Sequence, residues 1–216
     1  MRISKLAPSQ HITGRWLCHL EDGTILRITE NEVVAFGLCS GLELTQGQME
    51  EITRAAKAAA VRDKAVELLS ARPLSRKELV DKLTARPRQK DKEPLADRES
   101  AEAAADRLEE LGYLNDQAYA HTVAEHYAAK GCGPSRIREE LYHRGVPREY
   151  WDEALEGLDA PDEAIDAFLQ KKLRGADLTD PKSYKRAADA LARRGFRWED
   201  IKDGLRRYGG AMEEDY

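Results

Sequence analysis

Cysteine is scarce in this chain of 216 residues: only Cys18, Cys39 and Cys132 occur. Three thiols so scattered cannot build a disulfide framework, which predicts a reducing, cytoplasmic setting. Aromatic residues reach only 6%. No apolar run approaches the roughly 18 to 20 residues of a membrane span, so no membrane association is expected. The opening Met1-Arg2-Ile3-Ser4-Lys5-Leu6 lacks the apolar stretch of a secretory signal. Against these scarcities, charged residues make up 35% and hydrophobic ones 41%. So many charges and so few aromatics weigh against one large core and favour small packed helical units in an elongated body.

Enzyme signatures are missing as well. No Gly-x-x-x-x-Gly-Lys-Ser/Thr phosphate loop exists, and Gly131-Cys132-Gly133 leads into Pro134 rather than a nucleotide fingerprint. There is no Cys-x-x-Cys pair. His121 and His126 lie five apart, a spacing that does not bring two ligands to one helix face. Glu139, Glu140, Glu149 and Asp152 read as carboxylates in helix first turns, where the helix dipole favours them. Ser75 and Ser135 read as helix caps. A non-catalytic chain without metal or cofactor is expected.

The net charge of −5 conceals segregation. Residues 51–99 carry 13 basic against 9 acidic side chains (+4), residues 100–164 carry 6 against 15 (−9), and residues 165–208 carry 12 against 7 (+5). Local rather than net charge governs encounter, so the two basic zones are candidates for meeting a polyanion or an acidic protein.

Strand signals are confined to the first fifty residues. Arg15 to Leu20 and Thr24 to Thr29 flank Glu21-Asp22-Gly23, which supplies a hairpin turn, and a short helix is predicted over 32–38. From Thr45 onward the pattern is helical. Thr45 and Gln48 have capping-box spacing before a long helix that stops at Pro73, and Ser75 and Glu78 repeat that spacing. The polar, proline-bounded Pro87 to Pro94 is a loop. Asn115, Pro134, Pro147, Asp162 and Asp180-Pro181 open further helices, and Gly195 separates the helix begun at Asp180 from a final one predicted to end at Gly209.

A shift of 50 residues superposes Leu141, Arg144, Gly145, Val146, Trp151, Leu155 and Leu158 on Leu191, Arg194, Gly195, Phe196, Ile201, Leu205 and Tyr208. Leu79 and Leu83 match Ile137 and Leu141 by a shift of 58. The prediction is a mainly α fold of three tandem three-helix repeats, forming an elongated curved body, with a small N-terminal β-hairpin module. The expected boundaries are 1–48 for the hairpin module, 49–114 for repeat 1 with an inserted loop at 86–97, 115–160 for repeat 2, 161–210 for repeat 3 and 211–216 for an acidic tail.

Three strings carry a likeness to a known family: Leu69 to Leu79 (Leu-Ser-Ala-Arg-Pro-Leu-Ser-Arg-Lys-Glu-Leu), Leu111 to Ala120 (Leu-Gly-Tyr-Leu-Asn-Asp-Gln-Ala-Tyr-Ala), and Lys130 to Leu141 with Arg144-Gly145-Val146. In this order they resemble the bacterial RecX family, regulators of the recombinase RecA. The resemblance covers residues 50–160 closely and 161–210 more loosely. Residues 1–50, with Phe36-Gly37-Leu38 and Gly41, resemble the N-terminal extension of longer members. The resemblance implies three tandem three-helix repeats, no catalysis, and binding to RecA and its filament on single-stranded DNA with inhibition of ATP hydrolysis and strand exchange. Single-stranded DNA would be met weakly or through the filament, by a monomer. The chain departs from the family where Ala85-Arg86-Pro87 and the charged loop replace a short Lys-Gly turn.

Basic positions along the repeats are the candidate contacts: Arg72, Arg76 and Lys77 in the first; Arg136, Arg138 and Arg144 in the second; Lys185, Arg186, Arg193, Arg194, Arg197, Arg206 and Arg207 in the third. Many weak contacts spread along a filament would add through effective concentration. The alternative of another class is a stand-alone DNA-binding regulator built from helix-turn-helix-like units.

Overall fold

The computed structural model describes residues 1–87, 93–158, 160–173 and 180–214, with side chains as far as Gly209. The middle of the charged loop and the side chains of the acidic tail lie outside the described residues. The chain divides into two compact units, one of residues 1–72 and 79–113 and the other of 73–78 and 114–216.

In the first unit, β1 (Ile3–Pro8), β2 (Arg15–Leu20) and β3 (Ile25–Thr29) form an antiparallel sheet in that order. The predicted hairpin is β2–β3, its turn held by Asp22, whose carboxylate accepts from the Thr24 amide at 2.9 Å. β1 carries no strand pattern in sequence, since only Ile3 of its six residues is buried. Its pairing comes from elsewhere in the chain: β2 offers it an edge, and on the other side the Ile3 amide donates to Leu42 O and its carbonyl accepts from Gly41. Ile3, Cys18, Leu20, Ile28, Leu38 and Leu44 pack with Ile52 of the following helix. A three-stranded sheet on a helix is about the least that holds such a module together.

Helix α1 (Glu30–Ala35) begins two residues earlier than the sequence suggests. Thr29 and Glu32 form a capping box, with the Glu32 carboxylate accepting from the Thr29 amide at 2.8 Å. Helix α2 (Gln46–Ala71) starts on the predicted Thr45/Gln48 box. It is followed by α3 (Arg76–Thr84) and α4 (Arg98–Glu110), the latter capped by Asp97. Leu79, Val80 and Leu83 of α3 and Ala101, Ala104, Ala105 and Leu108 of α4 are buried. The small α4 residues let helix backbones approach closely without aromatic filling.

The second unit holds two successive three-helix domains, each with its own core. The first comprises α5 (Asp116–Ala129), α6 (Pro134–His143) and α7 (Trp151–Glu156), the last entered through a 3₁₀ turn, Arg148–Tyr150. Its core is Tyr119, Ala120, Val123, Ala124, Ile137, Leu141, Val146 and Ala154. Ala154, not Trp151, is the buried residue of α7, while Trp151, Leu155 and Leu158 flank the core half-buried. The second domain comprises α8 (Pro161–Lys172), α9 (Pro181–Arg193) and α10 (Trp198–Glu214) around Ile165, Leu169, Leu173, Ala187, Ala188, Leu191, Phe196, Ile201 and Leu205. Each fully buried Leu or Ile contributes about 1.5–3 kcal/mol, so a few per domain suffice. Helix α10 runs past Gly209, its predicted end, to Glu214. Glycine costs a helix about 1 kcal/mol relative to alanine, which is a penalty rather than a stop.

The 50-residue shift holds in three dimensions. Residues 141–150 and 191–200 show the same pattern of buried, half-buried and exposed positions, residue for residue. Among the described residues no helix is long and apolar enough to cross a membrane.

Candidate partner-binding surface

The repeated Arg-Gly pairs, Arg144-Gly145 and Arg194-Gly195, stand at the C-terminal ends of α6 and α9. Each receives the start of an earlier helix. At the first, the buried Ser75 hydroxyl donates to Arg144 O and also accepts the Glu78 amide at 3.0 Å. A Cβ on Gly145, whose φ is +69°, would collide with the Lys77 side chain. At the second, the Gly133 amide donates to Arg194 O at 2.8 Å and the Ser135 amide to Gly195 O at 3.1 Å. A Cβ on Gly195, whose φ is +87°, would run into the Arg136 backbone. At the second joint two backbones meet with no room for a side chain, and at the first the Lys77 side chain fills the space a Cβ would need. That is the physical need behind the repeated glycine.

The arginines of both pairs point back into the fold. Arg144 Nη1 donates to Tyr119 Oη at 2.7 Å, and Tyr119 donates to Glu78 Oε2 at 2.8 Å. Arg144 also lies 3.8 Å from Glu78 Oε1. Burial pushes the Tyr119 phenol above its ordinary value, and the Glu78 carboxylate that accepts its hydrogen bond pushes the same way. Burial alone would weaken the charge on Arg144, but tyrosine hydroxyls and Glu78 outweigh it and raise its pKa. Arg194 Nη1 donates to Gly131 O at 3.0 Å and Lys130 O at 3.2 Å, and its guanidinium lies 4.7 Å from the Phe168 ring. Both fasten a joint.

Several other candidates are engaged within the protein. The Arg76 amide donates to the buried Asp116 carboxylate at 2.7 Å. Arg72 closes α2 through its amide, and the Lys77 stem covers Gly145. Arg136 pairs with Glu139 at 2.6 Å and Glu140 at 2.7 Å. Those two carboxylates therefore serve as ion-pair partners in mid-helix, beyond the first turn where the sequence suggested them. Arg138 lies 3.2 Å from Asp152, Arg206 pairs with Asp203, and Arg207 spans Asp162 and Asp166 at 3.1 and 3.0 Å. The Asp166 hydrogen bond leads in raising Arg207 above its ordinary value.

A smaller set is left facing outward. Lys185, Arg186, Arg193 and Arg197 are exposed. Among the described residues no side-chain hydrogen bond or ion pair engages Lys185, Arg193 or Arg197, and Arg186 has a longer-range attraction to Asp180. Lys182, absent from the sequence candidates, extends the row. Its signal is helical spacing: 182, 185/186, 189 and 193 share the face of α9 opposite the buried Ala187, Ala188 and Leu191. Asp189 is the single acid in that row. The arrangement can hold phosphates or carboxylates and offers no nucleophile or acid–base pair. Among the described residues no three His, Cys, Asp or Glu side chains are grouped to hold a metal ion.

Residues 115–155 match the RecX second three-helix domain and residues 161–205 the RecX third three-helix domain. The chain is similar to the regulatory protein RecX of Pseudomonas entomophila L48, at 36% identity over 143 residues that span 66% of this chain and 87% of the relative. It is likewise similar to the regulatory protein RecX of Xanthomonas axonopodis pv. citri 306, at 36% identity over 145 residues that span 66% of this chain and 84% of the relative. A crystal structure of regulatory protein RecX superposes with a TM-score of 0.69 at 24% identity, covering 94% of this chain and 98% of that one. The RecX structure from Lactobacillus salivarius superposes with a TM-score of 0.60 at 20% identity, covering 71% and 97%. At such identities the two superpositions establish the fold.

Proposed function

Because the chain belongs to the RecX family of regulatory proteins, we propose that it regulates the RecA recombinase without catalysis of its own. It binds RecA and the filament that RecA forms on single-stranded DNA, and it inhibits ATP hydrolysis, strand exchange and filament growth in the bacterial cytoplasm. The observation that carries this reading, beyond family membership, is the outward basic row on α9 and the turn after it. Lys182, Lys185, Arg186, Arg193 and Arg197 remain exposed, while Arg144 and Arg194 are spent on the joints. An exposed cationic row in a chain of net charge −5 favours a nucleoprotein partner over free duplex, since the whole protein is repelled by phosphate while one face is attracted.

The test is single-stranded-DNA-dependent ATPase by RecA, titrated with the purified protein and with the K185A/R186A/R193A/R197A variant. Inhibition by the wild type, weakened at least about tenfold in the variant, is expected. Unaltered inhibition by the variant would remove this face from the mechanism. Absence of any wild-type effect on RecA would overturn the function. Tight, sequence-selective duplex binding without RecA would instead favour the stand-alone DNA-binding reading.

A further inference from the structure

Trp198, the first residue of α10, follows Arg197 directly and is 60% exposed. The other two tryptophans are used by the fold: Trp16 packs against the sheet core, and Trp151 is half-buried with its indole N–H donating to Val146 O at 3.0 Å. Among the described residues no hydrogen bond, ring stack or cation contact involves the Trp198 side chain. The repeat sharpens the contrast. The equivalent position in the preceding domain is Arg148, whose guanidinium covers the Trp151 ring at 5.7 Å. An exposed arginine there needs no explanation, but an exposed indole leaves a large apolar face in water.

The neighbours of Trp198 are cationic. Arg193 ends α9, Arg197 precedes the indole, and Lys202 lies four residues on, on the same side of α10. All three are exposed, and among the described residues none has an ion-pair partner. Glu199 and Asp200 also stand in the first turn of α10, with Asp200 half-buried. Along α9 the cationic row from Lys182 to Arg193 runs over eleven residue steps, about 16 Å of helix. A cationic track that ends in an unpartnered aromatic face suits an unpaired strand, whose backbone needs charge and whose bases need a stacking surface. A duplex offers the charge but keeps its base faces covered.

We propose that Trp198 stacks on a base of single-stranded DNA while Lys182, Lys185, Arg186, Arg193 and Arg197 follow the strand's phosphates. This rests on the reading that the filament is the partner, and it names the component that the third domain touches.

The test needs no RecA, so its failure can be told apart from failure of the regulatory reading. Fluorescence anisotropy with the full chain compares oligo(dT), an abasic oligomer of equal length and phosphate count, and a duplex, at fixed salt. Oligo(dT) is expected to bind about tenfold or more tighter than the abasic oligomer and to quench tryptophan emission. W198A should lose that advantage and the quenching while binding the abasic oligomer as before, and W198F should restore part of the advantage. Equal affinity for oligo(dT) and the abasic oligomer, or an unchanged preference in W198A, would overturn the proposal. So would concentration-dependent self-association of the wild type that W198A abolishes, since the indole would then be covered by a second copy.

Discussion

The Gly133 amide donates to the Arg194 carbonyl at 2.8 Å, and a Cβ placed on Gly133 would stand 2.5 Å from the Phe196 amide nitrogen. Fifty-eight residues earlier, Ser75 meets the Arg144 carbonyl through its hydroxyl. One joint closes backbone to backbone and the other side chain to backbone. In both the start of a helix seats on an Arg-Gly corner.

Gly133→Ala and Gly195→Ala are therefore expected to destabilise the protein by about 1–3 kcal/mol each through overpacking, with a further ~1 kcal/mol at Gly195 for its left-handed φ. Gly47→Ala, inside α2 with open space around the added methyl, should have the opposite sign and gain up to about 1 kcal/mol. Urea unfolding followed by circular dichroism checks all three. Neutral behaviour of both joint variants would show that the corner is loosely packed.

The Tyr119–Glu78–Arg144 chain predicts an alkaline weakness. Burial first, then Glu78, raises the Tyr119 pKa in the fold. A raised pKa stabilises fully below the ordinary phenol value near 10, and the contribution is lost as pH rises through the folded value. The urea midpoint should fall above about pH 10 in the wild type and fall less in Tyr119→Phe. At neutral pH Tyr119→Phe should cost about 1 kcal/mol for the lost hydroxyl. Identical alkaline profiles for the two proteins would place the loss elsewhere.

At the acid end, Asp180 caps α9 by accepting from Lys182 and Ser183 amides, and the Lys182 backbone bond leads in lowering its pKa. A depressed carboxylate stabilises above about pH 4, and this is lost as pH falls through the folded value. Asp180→Asn keeps the cap without the titration. Its midpoint should change less than that of the wild type between pH 5 and pH 2, and equal slopes would deny the cap a titrating role.

Salt dependence separates face from joint. If α9 contacts a single strand, each phosphate contact removed should reduce the slope of log affinity against log salt by about 0.7. Lys185→Ala, Arg186→Ala and Arg193→Ala should each flatten the slope with little loss of stability. Arg194→Met should do the reverse, lowering the urea midpoint and leaving the slope, because its guanidinium is held by Gly131 and Lys130 carbonyls and the Phe168 ring. A flattened slope in Arg194→Met would return that residue to the binding face.

Much was legible in sequence because it is local chemistry. Thr45 with Gln48, Ser75 with Glu78, Asn115 and Asp180 mark helix starts by offering an oxygen to unpaired amides. The repeat set which residues face inward, so Ile137, Leu141, Leu191, Ile201 and Leu205 are buried as their spacing requires. What only the tertiary structure decided is which charges are free. Arg144, Arg193, Arg194 and Arg197 look alike in a basic string, but whether a guanidinium meets a tyrosine, a carbonyl or water depends on groups dozens of residues away. β1 belongs to the same class: its residues pair because β2 and the Gly41–Leu42 backbone present hydrogen-bonding groups to it. Periodicity reports burial against a residue's own core. It is silent on partners supplied by distant backbone, and those partners divide the basic residues into joint and face.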